Sequence, residues 1–490
     1  MKTINKMILC SMLGILFSGC GNDWLDTDPS TSVDSETALN SLNDFSFTVN
    51  GIYSSMQSQN SYGARMQYYG DVTGDDIQAT GATARGADFY LFSYNKDNVP
   101  TTFWSSCFGI MADANIVVTK IDNIKYDGDD ESGLAEFNAR KNDIKGQALT
   151  LRALSLFDLT RLHGYPYLKD NGASWGGVVI QEVVGKDYKP KRNTVADCYT
   201  AIIGDLEQAI PLLSEDRTKG KINKWAAMTL LSRAYLYKGD NENALKVAKE
   251  GIDGAKKAGF KLWTNTEYAT VWSGEFTSEV FFEIIQLLTD GPSKESIGNL
   301  WYDSGYYTMS LTSSFMAFME ADDKNDVRYK TVTYSTKRKR YICNKYPGQN
   351  GEKPAEANVP VFRMSELYLN AAEAAVKLGS AYNTDAVNYL DEIVKRANPA
   401  KTVKGTTVTL EKVLNERRKE FFGEGHRMFD LLRNNLPVVR QNISGGKVNH
   451  LSLLDYAQSF DWNMYKVVLP VPKAEMDANP NMRDQQNPGY

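Results

Sequence analysis

Between Trp225 and Ala258 the chain carries a spacing that few folds can satisfy. Met228, Leu231, Ser232, Tyr235, Gly239, Asp240, Ala244 and Ala248 fall at the large, small, aromatic and Gly-Asp turn positions of the 34-residue tetratricopeptide pattern. The small residues let two antiparallel helices approach closely, and the turn after Gly239 reverses the chain. One such pair cannot bury its own apolar face, so the pattern demands neighbours. A looser copy spans 365–397, with Tyr368, Ala371, Ala372, Ala375 and Gly379 on its first helix and Ala386, Leu390 and Ile393 on its second. Segments 144–163 and 194–213 predict a third pair, separated by an inserted loop, 164–193. These copies are interrupted rather than tandem. They predict one wall of a larger, mainly α body.

Other segments extend the helical pattern. Trp104, Phe108, Met111, Asn115 and Val118 share a helical face over 102–125, and Ile144, Ala148, Leu151, Leu154 and Phe157 do so over 134–163. Thr194 and Asp197 have capping-box spacing. The intervening stretches 60–101, 164–193 and 259–310 are rich in Gly, Asn, Asp, Ser and Tyr, with strand-like runs at 177–180 and 280–285. Structureless loops beyond about 15 residues are uncommon unless functional. The helices therefore read as scaffold and the loops as working surface.

The N-terminus has its own logic. Lys2 and Lys6 precede an apolar run from Met7 to Phe17, then Ser18, Gly19 and Cys20. This is the order of a secretory signal, and the run is too short to span a bilayer. A cysteine directly after Ser-Gly resembles a bacterial lipobox. It predicts a signal peptide over 1–19, acylation of Cys20 and attachment to a membrane through lipid. Residues 20–35, polar and containing Pro29, form an extended tether, and 36–490 a single body.

Composition removes several functions. The net charge of −5 and the lack of a basic stripe exclude a nucleic-acid partner. The five cysteines include no C-x-x-C pair. Gly172-Ala173-Ser174-Trp175-Gly176 fits G-x-S-x-G, but polar residues precede the serine and a strand-like run follows, so it predicts a surface turn. His163, His426 and His450 lack metalloprotease spacing, and no glycine loop for phosphate precedes a helix. Asp127, Asp129 and Glu131 alternate like a calcium loop without its glycine or final acid. No cofactor is predicted. Carboxylate pairs for glycoside hydrolysis stay open, because spacing in space is invisible in sequence. In the block 415–432, Arg417 shares a stripe with Leu410, Val413, Leu414 and Phe421. A buried guanidinium needs partners, for which Glu420, Glu424 and Asp430 are the candidates.

Five motifs in order resemble the SusD/RagB family of surface glycan-binding lipoproteins. They are Cys20 with Asp23-Trp24-Leu25-Asp26-Thr27-Asp28-Pro29; Ile144 to Ala153 leading to His163-Gly164-Tyr165-Pro166; Ala227 to Gly239; Glu416 to Arg433; and the tail Leu469-Pro470-Val471-Pro472 with Gln486-Asn487-Pro488-Gly489-Tyr490. The resemblance covers essentially the whole chain. It implies helix pairs on one side, with irregular loops and short strands opposite. It also implies a non-enzymatic, outer-membrane protein that captures a glycan and serves as lid to a SusC-like, TonB-dependent barrel. Two rival functions remain, a glycoside hydrolase and a repeat scaffold binding only protein.

The family's shared motifs do not carry its binding residues, so sugar chemistry must choose them. Sugars offer C–H faces and hydroxyls, which favour exposed aromatic rings flanked by polar groups. Trp301, Tyr302, Tyr306 and Tyr307 lie in a loop without helical period. Tyr90, Phe92 and Tyr94 alternate like a strand, followed by Asn95. Asp71, Asp75 and Asp76 can accept hydroxyl hydrogen bonds. The predicted glycan site therefore comprises Trp301, Tyr302, Tyr306, Tyr307, Tyr90, Tyr94, Asn95 and Asp75, while Trp104 is assigned to the core.

Overall fold

The computed structural model describes residues 39–490 except 101, 186, 349–352, 441–442, 445–446, 449 and 451–454. The signal, the tether and Cys20 lie outside the described residues. The body is mainly helical, and its helices pack in a serial array. Leu42–Met56 lies against Thr102–Lys120 and Glu131–His163. The array continues through Val195–Ala209, Lys224–Lys238, Asn241–Lys257, Met364–Leu378 and Asn383–Ala397, with Leu410–Phe421 against the last pair.

The Lys224–Lys238 and Asn241–Lys257 pair shows why the pattern folds this way. Ala226, Ala227, Ala234, Ala244 and Ala248 are fully buried on these helices. Gly239 adopts φ +82°, ending the first helix in a left-handed conformation, and the Asp240 side chain caps the second. A Cβ at Gly254 would fall 2.5 Å from the Trp225 ring, so the close approach requires glycine. The 365–397 copy becomes Met364–Leu378 and Asn383–Ala397. Thr194 and Asp197 form a capping box, although that helix stops at Ala209.

The loop side departs from the sequence reading in two ways. Its stretches are not irregular throughout, because Arg65–Val72, Ala87–Leu91 and Ile297–Trp301 are helical. Tyr90 therefore sits on a helix rather than a strand. Val280–Ile284 does form a strand, antiparallel to Val359–Arg363, but 177–180 runs extended without joining a ladder. A four-stranded antiparallel sheet, ordered 77–79, 309–311, 340–343 and 332–335, backs the loop face.

Of the 8 Trp, 27 Tyr and 20 Phe, most build interior. Tyr69 meets Phe89 and Phe103 edge-on, at 5.1 and 5.8 Å between centroids. Trp263, Tyr268, Trp272 and Phe276 form a separate cluster. Trp104 is buried, as assigned.

The C-terminal tail is built into the scaffold. Asn487 Nδ2 donates to the carbonyls of His163 and Leu469, at 2.8 and 2.7 Å. Arg192 donates to the carbonyls of His163 and Gln485 and to Asn487 Oδ1, at 2.7–2.9 Å. The Leu469 amide donates to the Leu162 carbonyl. These bonds cap the end of the Glu131–His163 helix, whose last carbonyls have no partner within the helix.

Candidate functional site

Charged side chains gather in two kinds of place. The first is interior. Arg417 is 1% exposed, and its guanidinium donates to Asp430 at 2.9 Å and to Asn370 at 2.8 Å. Glu420 and Glu424, also named as its acceptors from sequence, serve other cations. Arg363 donates to Glu279, Glu420 and Glu424 at 2.7–2.9 Å, and Lys345 donates to Glu424 at 2.7 Å. Burial alone would raise the Glu420 carboxyl, but Arg396 and Arg363 overturn it and hold the group below the usual carboxylate range. Asp75 and Asp76 belong to a similar set, bonded to Arg427 and Arg418. Asp71 accepts the amides of Gly425 and Arg427, yet burial pushes its carboxyl up to about 7.

The second place is a polar cleft of about 200 Å³ on the loop face. Its walls come from the turn before Arg65–Val72, the segment 84–89, Ser293–Glu295 and Ile297–Trp301. Arg85 forms a two-pronged ion pair with Glu295, and its guanidinium lies 3.5 Å above the centre of the Tyr306 ring. Tyr306 is 40% exposed. Gln59, Arg65 and Asp88 add donors and acceptors. Burial pushes the Tyr68 hydroxyl up to about 12, so it stays a neutral hydrogen-bonding group.

Local geometry fixes this arrangement. Gly86 has φ +80°, and a side chain there would press on the Tyr68 ring. After Ile297–Trp301 the chain folds back: the Tyr306 and Thr308 amides donate to the carbonyls of Asn299 and Leu300 at 2.8 Å. A Cβ at Gly305 would lie 2.2 Å from the Asn299 carbonyl oxygen. Arg65 Nη1 bonds Thr102 Oγ1 at 2.7 Å, tying the cleft to the helical wall.

The predicted glycan residues separate sharply. Tyr306 keeps an exposed ring at the edge of the cleft, against Arg85. Trp301 is 1% exposed, since its short helix turns that face inward, and Tyr307 is also buried. Tyr302 is half-buried, with its hydroxyl on Asn344. Tyr90 and Tyr94 are core residues, bonded to His450 and to the Lys466 carbonyl. Asn95 is exposed, but its side chain accepts the amides of Asp97 and Asn98 within its own turn. Asp75 is committed to Arg427. The exposed-platform expectation thus fails for Trp301, Tyr307, Tyr90 and Tyr94, because these rings complete the core of the loop side. Arg85 and Glu295 were missed; a lone arginine among small residues, Thr80 to Ala87, was their only sequence signal.

The imidazoles of His163 and His450 and the thiols among the described residues are withdrawn from solvent. Burial lowers the imidazoles of His163 and His450 to about 3 and about 4, and holds that of His426 well below its ordinary value. Cys107, Cys198 and Cys343 are buried with raised thiols. Ser174 sits in a turn with neither the strand before it nor the helix after it that a nucleophile elbow needs.

Residues 255–490 match the SusD family, and residues 23–236 match the family described as starch-binding, associating with outer membrane. A candidate sugar-binding protein from Bacteroides vulgatus, known by crystal structure, is 49% identical. It superposes with a TM-score of 0.86 over 93% of this chain and 100% of its own. A SusD superfamily protein from the same species is 38% identical, with a TM-score of 0.84 over 92% of this chain and 100% of its own. The starch-binding protein SusD of Bacteroides thetaiotaomicron is 33% identical over 138 residues, 28% of this chain and 22% of that protein. Among the described residues no helix is long and apolar enough to cross a membrane.

Proposed function

Because the chain belongs to the SusD family, we propose that it is an outer-membrane lipoprotein, acylated at Cys20 and exposed at the cell surface. It captures an oligosaccharide or polysaccharide and passes it to a SusC-like, TonB-dependent barrel for which it acts as lid. It binds the glycan without cleaving it. The observation that carries the capture step is Tyr306, an exposed ring held in place by Arg85 and Glu295 beside a polar cleft. The ring suits a sugar's C–H face, and the flanking charged groups suit its hydroxyls. The names of its relatives, as starch- and sugar-binding proteins, support the same ligand class.

The test is affinity electrophoresis through gels containing starch, laminarin, xylan or levan. At least one polysaccharide is expected to retard the parent, and Tyr306→Ala to lose most of that retardation. Equal retardation of both would remove the cleft from the reading. New reducing ends after incubation would revive the hydrolase alternative. Co-purification of a barrel with the parent, and loss of membrane association in Cys20→Ala, test the remaining steps.

A further inference from the structure

The strongest unassigned feature is a second aromatic surface, distant in sequence from Tyr306. A shallow cleft of about 340 Å³ is lined by Pro437, Tyr456, Ser459, Phe460, Asp461 and Met464. Ser459–Phe460 pairs with Val438–Val439, which makes its floor a short antiparallel ladder. Tyr456 and Tyr465 are 41% and 39% exposed.

The surface is built rather than incidental. Lys466 Nζ donates to the Tyr94 carbonyl and lies 5.6 Å from the Tyr456 ring centre and 5.8 Å from that of Tyr465. Both rings thus flank one ammonium, with Tyr456 lining the cleft and Tyr465 beside it. Tyr465 is held from behind: the Tyr490 ring packs edge-on at 5.0 Å. Gly489, at φ +92°, leaves room where a Cβ would come 2.5 Å from the Tyr465 ring. Asp461 spends one oxygen on the Asn463 amide, which fixes a carboxylate at the cleft edge. Exposed rings in a fixed position lose little freedom on binding, and a neighbouring carboxylate supplies hydrogen-bond acceptors.

We infer that this cleft is a second glycan-binding platform, with Tyr456 and Tyr465 stacking on sugar rings and Asp461 accepting a hydroxyl. The inference rests on the glycan-binding reading and adds a second contact to it. The two surfaces are connected through buried rings. Phe89 lines the first cleft and lies 5.9 Å from Tyr94, whose hydroxyl bonds the Lys466 carbonyl beneath the second. The aliphatic exposure at Leu287 and Leu288 has another character, sitting on a tight turn. Tyrosines beside a carboxylate and an ammonium suit a wet, hydroxyl-bearing ligand better than an apolar protein face.

The test uses the mature chain in the same starch, laminarin, xylan and levan gels, with Tyr306→Ala, Tyr456→Ala, Asp461→Ala and the Tyr306/Tyr456 double alanine variant. On the polysaccharide that retards the parent, Tyr456→Ala is expected to weaken binding by about threefold to tenfold. Asp461→Ala should weaken it less, and the double variant should migrate as in a blank gel. Thermal unfolding matching the parent shows that Tyr456→Ala is folded; if it is not, Asp461→Ala decides. Full binding by Tyr456→Ala and Asp461→Ala, with Tyr306→Ala alone abolishing retardation, would overturn the second platform and leave the first intact. A parent retarded by none of the four would overturn the glycan reading, and this inference with it.

Discussion

Arg363 and Arg85 each combine a guanidinium, carboxylates and aromatic rings, but in opposite surroundings. Arg363 is 2% exposed, shared among Glu279, Glu420 and Glu424, with Trp263, Trp272 and Phe421 about it. The Arg85 side chain is 41% exposed, and it holds one glutamate and one open tyrosine. Away from water, a charge left without its partner costs several kcal/mol, so the interior set works only as a complete unit. At the surface, water compensates each group, so the pair adds little stability and its atoms remain free to exchange water for a ligand. Burial, more than residue type, divides scaffold from binding surface.

That division can be broken first in the interior. Arg363→Ala is expected to destabilise the fold by about 3–5 kcal/mol in urea unfolding, because three buried carboxylates lose a partner. A loss below about 1 kcal/mol would show that the set is not a unit. Acid is the next lever. Unfolded histidine takes a proton near pH 6.5, whereas folded His163 and His450 do so only near 3 and 4. Stability should therefore fall as pH drops from 6.5 toward 4. Asp71 opposes this, since its folded carboxyl titrates near 7 and its unfolded one near 3.8. Glu283, raised by burial to about 6, opposes it too, but the three lowered imidazoles outweigh these carboxyls, so a net loss of roughly 3 kcal/mol is expected, read as a lower urea midpoint at pH 4.5 than at pH 7.

At the surface the effects should invert. Tyr306→Ala is expected to cost about tenfold in polysaccharide affinity, with stability unchanged within about 0.5 kcal/mol. Glu295→Gln is the mildest change: it frees the Arg85 guanidinium, lowers affinity a few-fold and shifts stability by less than about 1 kcal/mol. A large stability loss from either variant would merge the two regions into one.

The helical wall was legible because its signals are local. Alanine and glycine at fixed spacing, the turn at Gly239-Asp240 and the Thr194 cap act within a few residues of where they stand. Arg417 was legible as buried, but its full partner set was not, since Asn370 approaches from a helix 47 residues away. The loop aromatics misled for a related reason. Trp301 and Tyr90 lie among Gly, Asn and Ser, yet both are drawn inward by partners distant in sequence, such as His450 for Tyr90. Composition gave the number of rings but not which of them face water. Tyr306 stays open because the Gly305 turn brings it back over Asn299.

The closure of the tail has a kinetic consequence. Asn487 reaches the His163 carbonyl across 324 residues, and Arg192 reaches Gln485 across 293. Contacts of such sequence separation form late, after the intervening chain has collapsed. Until then the carbonyls of Leu162 and His163 must rely on water, and the end of the longest helix described should fray. Amide exchange near Gly164 would therefore be slowed late in refolding, when segment 469–490 docks, making that segment a latch that reports completion of the fold.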